Sequence, residues 1–153
     1  MILSGETLRA IQPVMPFREH GRAHGRSYGV SHAGYDISLD QDVWLWPKGF
    51  QLASTIEWFC MPDDALGVVH DKSTNIRLGI AVHNTVIEPN WRGYLTLEIS
   101  NQLWRPRLLK RGTPIAQVIF HRVDKPVDGY VGGKYQNQAR GPQAAILDGG
   151  DNA

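Results

Sequence analysis

The chain has 153 residues, and 16 Lys and Arg against 15 Asp and Glu give it a formal net charge of +1. This length fits one domain with a single core, and the balanced charge excludes a general attraction to nucleic acid or to a membrane surface. The lone Cys60 excludes an internal disulfide. No N-terminal stretch resembles a signal peptide or a membrane span, which predicts a cytoplasmic protein.

Short strands separated by turns are predicted for most of the chain. Sixteen Gly and nine Pro punctuate runs rich in Val, Ile, Leu, Trp and Tyr, which indicates an all-β class. The one helix signal lies at the N-terminus. There, Ser4 is placed as the N-cap, Leu8 and Ile11 stand three residues apart, and Pro13 ends the helix.

The segment from Arg18 to His32 is rich in Arg, His, Gly and Ser. Because Gly21, Gly25 and Gly29 disfavour a helix, the composition predicts a mobile loop. Two roles stay open: a basic flap that touches phosphates or a neighbouring subunit, and a solvated surface loop. No cysteine or carboxylate cluster accompanies the histidines, so a zinc site is not predicted.

Short strands with regular turn signals follow, and this spacing predicts a sandwich or barrel. Asp36 stands where a turn runs into an alternating strand. It serves either as a turn cap or as part of a site. Trp44, Trp46, Trp58 and Phe59 are interpreted as core or subunit-contact residues.

A polar segment follows a predicted strand that ends at His70. Lys72, Ser73, Thr74 and Arg77 bring two cations and two hydroxyls within six residues. Groups of this kind at a strand end can hold phosphate oxygens.

Glu98 is the unusual residue of the strand Tyr94–Asn101, whose sequence is largely apolar. A buried carboxylate requires a partner, a raised pKa or a chemical role. Arg77 is the candidate partner, and a purely structural Arg77–Glu98 pair remains an alternative.

Five segments in order resemble the dCTP deaminase branch of the dUTPase superfamily. They are Lys72–Gly79, Ile87–Gly93, Thr96–Asn101, Gly112–Gln117 and Gly133–Gln138 with Gly141–Pro142. The resemblance implies a distorted jelly-roll-like β-barrel of the dUTPase type with one short N-terminal helix. It also implies a homotrimer with sites between subunits. Residues 1–127 would form the barrel, and residues 128–153 a flexible C-terminal tail that closes over the site.

The implied activity is metal-independent hydrolytic deamination of dCTP to dUTP, either alone or continuing to dUMP. Glu98 would be the general base and acid, with Ser73 and Arg77 orienting the water. Mg²⁺ would be held by the triphosphate oxygens. Zinc is not expected, because the chain lacks the cysteine ligands that zinc deaminases use. The substrate-binding residues implied are Lys72, Thr74, Asn84, Thr85, Glu88, Trp91, Gln117, Tyr130, Lys134 and Gln138.

Two departures from the family pattern keep other functions open. Glu88 stands where the family has aspartate, and the interval from Arg77 to Glu88 is about two residues short. A dUTP diphosphatase that gives dUMP is one alternative, and a catalytically idle nucleotide-binding regulator is another. Glu98, Arg77 and the tail motif argue against a pure diphosphatase.

Overall fold

Three curled antiparallel sheets surround one hydrophobic core in the computed structural model, which describes residues 1–148. Their strand orders are β2-β3-β4-β12-β7-β9, β1-β6-β10-β8 and β11-β5. The elements are α1 (Gly5–Ile11), β1 (Val14–Met15), β2 (Gly21–Ala23), β3 (Arg26–Ser31), β4 (Gly34–Ser38), β5 (Val43–Leu45), β6 (Phe50–Cys60), β7 (Ala65–Asp71), α2 (Ser73–Arg77), β8 (Ile80–Val82), β9 (Val86–Ile87), β10 (Arg92–Asn101), β11 (Arg107–Leu109) and β12 (Pro114–Arg122). The predicted all-β class is confirmed.

The predicted N-terminal helix is confirmed as α1. The Ser4 hydroxyl accepts a hydrogen bond from the Thr7 backbone N–H at 3.3 Å, which satisfies one of the free donors of the first turn. Leu8 is fully buried beneath it. Gly5 allows the helix to approach β3 closely, because a Cβ there would lie 2.2 Å from the Ser31 carbonyl oxygen.

The predicted mobile loop over residues 18–32 is wrong, because β2 and β3 form an antiparallel hairpin there. His24 and Gly25 make its turn with φ of 49° and 72°. Gly29 allows β3 to lie close to the backbone at Glu19, because a Cβ at position 29 would lie 2.3 Å from the Glu19 carbonyl oxygen. The glycines thus permit a tight hairpin instead of providing flexibility.

A second helix, α2, was not predicted from the sequence. It is a single turn over Ser73–Arg77, between β7 and β8. Lys72 precedes it without a capping side-chain hydrogen bond. Of its five side chains only that of Asn75 is buried.

Strand β10 has two faces of different character. Leu97 and Ile99 are buried in the core, whereas Thr96 and Glu98 line a cavity on the other face. Leu95, at a register shift of the strand, is buried and also borders the cavity. The period of two therefore places the carboxylate beside the core and not within it.

Among residues 1–148, no helix combines the length and the apolar character that crossing a bilayer requires.

Candidate functional site

A cavity of about 480 Å³ lies along the outward face of β10. Phe50, Leu52, Ile87, Trp91 and Leu95 give it largely apolar walls. A cavity of this size and character is typical of small-molecule sites, which pair apolar walls with a few placed polar groups.

Glu98 supplies a carboxylate to this cavity. Its Oε2 atom is buried and has no hydrogen-bond partner within the described residues. Burial raises the pKa of the Glu98 carboxyl, although a hydrogen bond from its own backbone N–H and the charge of His83 oppose the shift. A carboxyl with a raised pKa and a free oxygen is suited to taking up and releasing a proton.

The loop and strand before β10 supply the other polar groups. Thr85 and Glu88 line the cavity, and Glu88 is exposed at its edge. Trp91 has two roles, since its ring lines the cavity and also packs on Phe59 at a centroid distance of 6.1 Å. Asn84, predicted to bind substrate, is exposed and lies outside the cavity lining.

The C-terminal tail covers the cavity from one side. Tyr130 and Gln138, both predicted from the resemblance, line it together with Gln143. The Gln138 amide donates to the Thr96 hydroxyl at 3.1 Å, and the Gln143 backbone N–H donates to the same oxygen at 3.0 Å.

Backbone contacts fix the tail to the start of β10. Gly93 pairs with Gln138 in an isolated parallel bridge, and the Trp91 indole donates to the Tyr135 carbonyl at 2.7 Å. A Cβ at Gly93 would lie 2.6 Å from the Gln138 backbone nitrogen, so this contact requires glycine. Residues 128–148 are thus in contact with the barrel. The flexibility predicted for the tail stays a prediction, and its residues 149–153 lie outside the described residues.

The cations of the tail are paired with carboxylates. Arg140 donates to both oxygens of Asp40, at 2.6 and 2.9 Å. Lys134, predicted to reach the triphosphate, instead bonds Asp148 at 3.2 Å and does not line the cavity.

Lys72 and Gln117 lie in a second cavity of about 710 Å³. Lys72 Nζ is 2.5 Å from Asp36 Oδ2 and donates to the Ser27 hydroxyl at 3.1 Å. Asp36 is buried, and its Oδ1 has no partner among residues 1–148. Asp36 thus pairs with a lysine at a polar cavity, and its part in a site stays a prediction.

Ser73, Thr74 and Arg77 are exposed on α2 and line neither cavity. No ion pair joins Arg77 to Glu98 within residues 1–148, so the pair considered from the sequence does not form in one chain. Apart from Asn84 and Lys134, the predicted residues therefore form three groups: those around Glu98, those around Lys72, and the exposed face of α2.

Two buried polar contacts were not foreseen from the sequence. Glu57 is fully buried, and it pairs with Arg18 while accepting a hydrogen bond from the Ser38 backbone N–H at 2.9 Å. Asn75, also fully buried, accepts from Arg26. No local pattern in the sequence indicates these partners, because Arg18 lies 39 residues from Glu57 and Arg26 lies 49 residues from Asn75.

Fold and site together define a class. A dCTP deaminase from Agrobacterium tumefaciens superposes with a TM-score of 0.65 at 19% identity, over 80% of this chain and 49% of that one. The dUTPase of phage phi11 of S. aureus superposes with a TM-score of 0.59 at 17% identity, over 72% of this chain and 86% of that one. At such identities these matches show the fold, which is of the dUTPase type.

The family is shown by the sequence match. The family model described as dCTP deaminase-like matches residues 18–123, and the chain belongs to this family, as the resemblance predicted. It is 43% identical to the dCTP deaminase of Acidobacterium capsulatum over 95 residues, which cover 60% of this chain and 52% of that protein. It is 41% identical to the dCTP deaminase of Teredinibacter turnerae over 110 residues, which cover 70% of this chain and 58% of that protein. The chain thus spans little more than half the length of these curated relatives.

Proposed function

We propose that the protein is a hydrolytic dCTP deaminase that forms dUTP and ammonia. The observation that carries the proposal is the Glu98 carboxyl, half-buried in an apolar cavity with a raised pKa and a free oxygen. The named activity of the curated relatives supports the choice of substrate.

Glu98 is assigned the proton transfers. It takes a proton from a water that adds to C4 of the cytosine, and it returns a proton to the departing amine. Ammonia then leaves as the C4 carbonyl forms and the second proton of the water passes from the C4 hydroxyl to N3, so Glu98 ends in the state in which it began. The apolar walls formed by Leu52, Trp91 and Leu95 would pack against the flat pyrimidine ring.

The site requires a second subunit in this proposal, because α2 presents Ser73 and Arg77 to the outside of its own chain. We assign the site to the contact between Glu98 of one subunit and Ser73 and Arg77 of its neighbour in a homotrimer. The neighbouring guanidinium and hydroxyl would orient the water and hold developing charge. This arrangement gives Glu98 Oε2 the partner that it lacks in one chain.

The second cavity is assigned to the triphosphate. Lys72 is already in place there, and Gln117 and Ser27 add hydrogen-bonding groups. In the described part of the chain no cluster of three or more His, Cys, Asp or Glu could enclose a metal ion. This donor set fits a Mg²⁺ that is held mainly by phosphate oxygens and water, where it would neutralise phosphate charge.

Arg77→Lys tests the shared site. A lysine keeps the charge but cannot reproduce the planar fork of donors, so we expect deamination to fall by about 10²-fold with little change in thermal stability. Ammonia release and melting temperature are the measurements. Arg105→Lys, on an exposed loop outside both cavities, is the matched control. Full activity of Arg77→Lys would assign Arg77 a role in structure alone.

Incubation with each deoxynucleotide and chromatography of the products tests the function itself. We expect ammonia and dUTP from dCTP with Mg²⁺. Because Glu88 lines the same cavity and could position a water for attack on the α-phosphate, dUMP from dUTP is the second candidate product. Release of pyrophosphate without ammonia would replace the deaminase with a diphosphatase. Binding without turnover would identify a regulator.

A further inference from the structure

The β2–β3 hairpin, whose role the sequence left open, contacts the start and the middle of the polar segment Lys72–Arg77. The Ser27 hydroxyl donates to Asp36 Oδ2 at 2.8 Å and accepts from Lys72 Nζ at 3.1 Å. The next contact comes from Arg26, whose Nε donates to Asn75 Oδ1 at 2.5 Å. Two consecutive side chains of one strand therefore reach the start and the middle of this segment.

Helix α2 depends on such contacts for its orientation. A helix of five residues is too short to be stable by itself, and α2 also lacks a capping side chain at Lys72. Asn75 is its one buried side chain. The amide of Asn75 donates to the carbonyls of Pro114 at 3.1 Å and Ile115 at 2.8 Å, and its oxygen accepts from Arg26. All the hydrogen-bonding groups of this side chain are thereby used.

The hairpin itself is fixed to the barrel on the other side. Arg18, just before β2, pairs with the buried Glu57 of β6 and donates to the Ser38 hydroxyl at 3.0 Å. Arg26 is held further by a bond from Nη1 to the His24 carbonyl at 2.8 Å, within the hairpin turn. Polar contacts therefore hold the start of the hairpin to β6 through Arg18 and join the hairpin to α2 through Arg26.

We propose that Arg26 is a positioning residue for the deamination site. By holding Asn75, it fixes the direction in which α2 presents Ser73 and Arg77 to Glu98 of the neighbouring subunit. The inference rests on the proposed function for its catalytic consequence, but the contact between hairpin and helix stands on the geometry alone. Arg26 itself touches neither the Glu98 cavity nor its lining.

Kinetics of Arg26→Ala and Arg26→Lys are the first part of the test. Misplacing reacting groups by about 1 Å can cost about 10²-fold, so we expect kcat for dCTP to fall about 10–100-fold. KM should stay within about threefold, because the cavity walls are unchanged. Lysine should not restore the rate, since one ammonium cannot replace the fixed donors of the guanidinium. Arg22→Ala is the matched control, because Arg22 lies exposed on the same hairpin and should retain wild-type kcat.

Amide hydrogen exchange is the second part, and it does not depend on activity. The backbone N–H groups of Asn75 and Ile76 donate to the Lys72 carbonyl in α2. We expect Arg26→Ala to speed their exchange about 10-fold or more, with the amides of β10 unchanged. Arg22→Ala should leave all of them unchanged.

Three results would overturn the proposal: wild-type kcat in Arg26→Ala, unchanged exchange in α2, or equal losses in Arg22→Ala. If Arg26→Ala does not fold, the same two measurements on Arg26→Lys test the proposal. If neither variant folds, Arg26 is required for folding and the proposal is rejected. A wild-type chain that releases no ammonia would reject the proposed function. Unchanged exchange in α2 would then separately reject the contact between hairpin and helix.

Discussion

Glu98→Gln is expected to lower the rate of ammonia release from dCTP by about 10²–10⁴-fold, the usual contribution of general acid–base catalysis. The amide has nearly the shape of the carboxyl, so the cavity walls and nucleotide binding should change little. A direct ammonia assay measures the rate, and equilibrium binding of dCTP measures affinity. Near-normal turnover would show that another group transfers the proton.

The thermal stability of Glu98→Gln tests the raised pKa of Glu98 independently of activity. Because burial raises the pKa of Glu98 in the folded chain, the ionised carboxylate is less favourable there than in the unfolded chain. This loss of folding stability begins as the pH rises above the pKa that Glu98 has in the unfolded chain. It is complete once the pH exceeds the raised pKa of the folded chain. Glu98→Gln removes it, so the melting temperature at neutral pH should stay the same or rise. Asp124→Asn, at an exposed carboxylate outside both cavities, is the control for both measurements.

The pH dependence follows from the same shift. A general base must be ionised, so kcat/KM should fall as pH decreases through the raised pKa of Glu98. Burial places the acid limb above the pH range of an ordinary carboxyl, and in the proposed trimer the Arg77 guanidinium of the neighbouring subunit opposes this shift. Removing the charge of His83 with His83→Asn should move this limb to still higher pH, because His83 lowers the pKa of Glu98.

Truncation after Val127 is expected to leave the barrel folded and to raise KM sharply or abolish turnover. The tail adds Tyr130, Gln138 and Gln143 to the cavity lining, and without them the cavity is open to water. Circular dichroism and the melting temperature show whether the barrel is folded, and the kcat and KM for dCTP show how much activity is lost. A truncated chain with wild-type KM and kcat would show that the tail has no part in the reaction.

Gly93→Ala is the finer version of this experiment. A Cβ at this position would lie 2.6 Å from the Gln138 backbone nitrogen, and φ of 144° also disfavours alanine. The tail should detach while the barrel keeps its core. Gly132→Ala is a matched control within the tail, because no heavy atom lies within 4 Å of a Cβ built there, although its φ of 74° imposes a similar backbone strain.

Limited proteolysis tests whether the tail closes on nucleotide. The contacts of Trp91, Thr96 and Gly93 hold residues 135–143 against the barrel, so cleavage there should already be slow. We expect dCTP with Mg²⁺ to slow it further in the wild type, and to have no effect in Gly93→Ala. Equal cleavage rates of the wild-type tail with and without nucleotide would contradict the predicted closure.

Local patterns in the sequence determined the class of the fold and the identity of several cavity residues. Strand alternation, turn residues and the Ser4 cap act over a few positions, so the all-β class and α1 could be predicted from the residues. The ordered motifs led to the family, and the resemblance implied Glu98, Thr85, Glu88, Trp91, Tyr130 and Gln138, which do share one cavity.

Only the tertiary structure decided how these residues are grouped. The sequence suggested an Arg77–Glu98 pair, but Arg77 is on the exposed side of α2, and a helix of one turn gave no periodic signal. The hairpin over residues 18–32 was mistaken for a loop, since its glycines are required by a turn and a backbone contact that no local pattern shows. Arg18 with Glu57 and Arg26 with Asn75 are contacts across 39 and 49 residues, and they exist because sheet register brings distant strands together. Such partners are set by the packing of the whole barrel and not by neighbours in the chain.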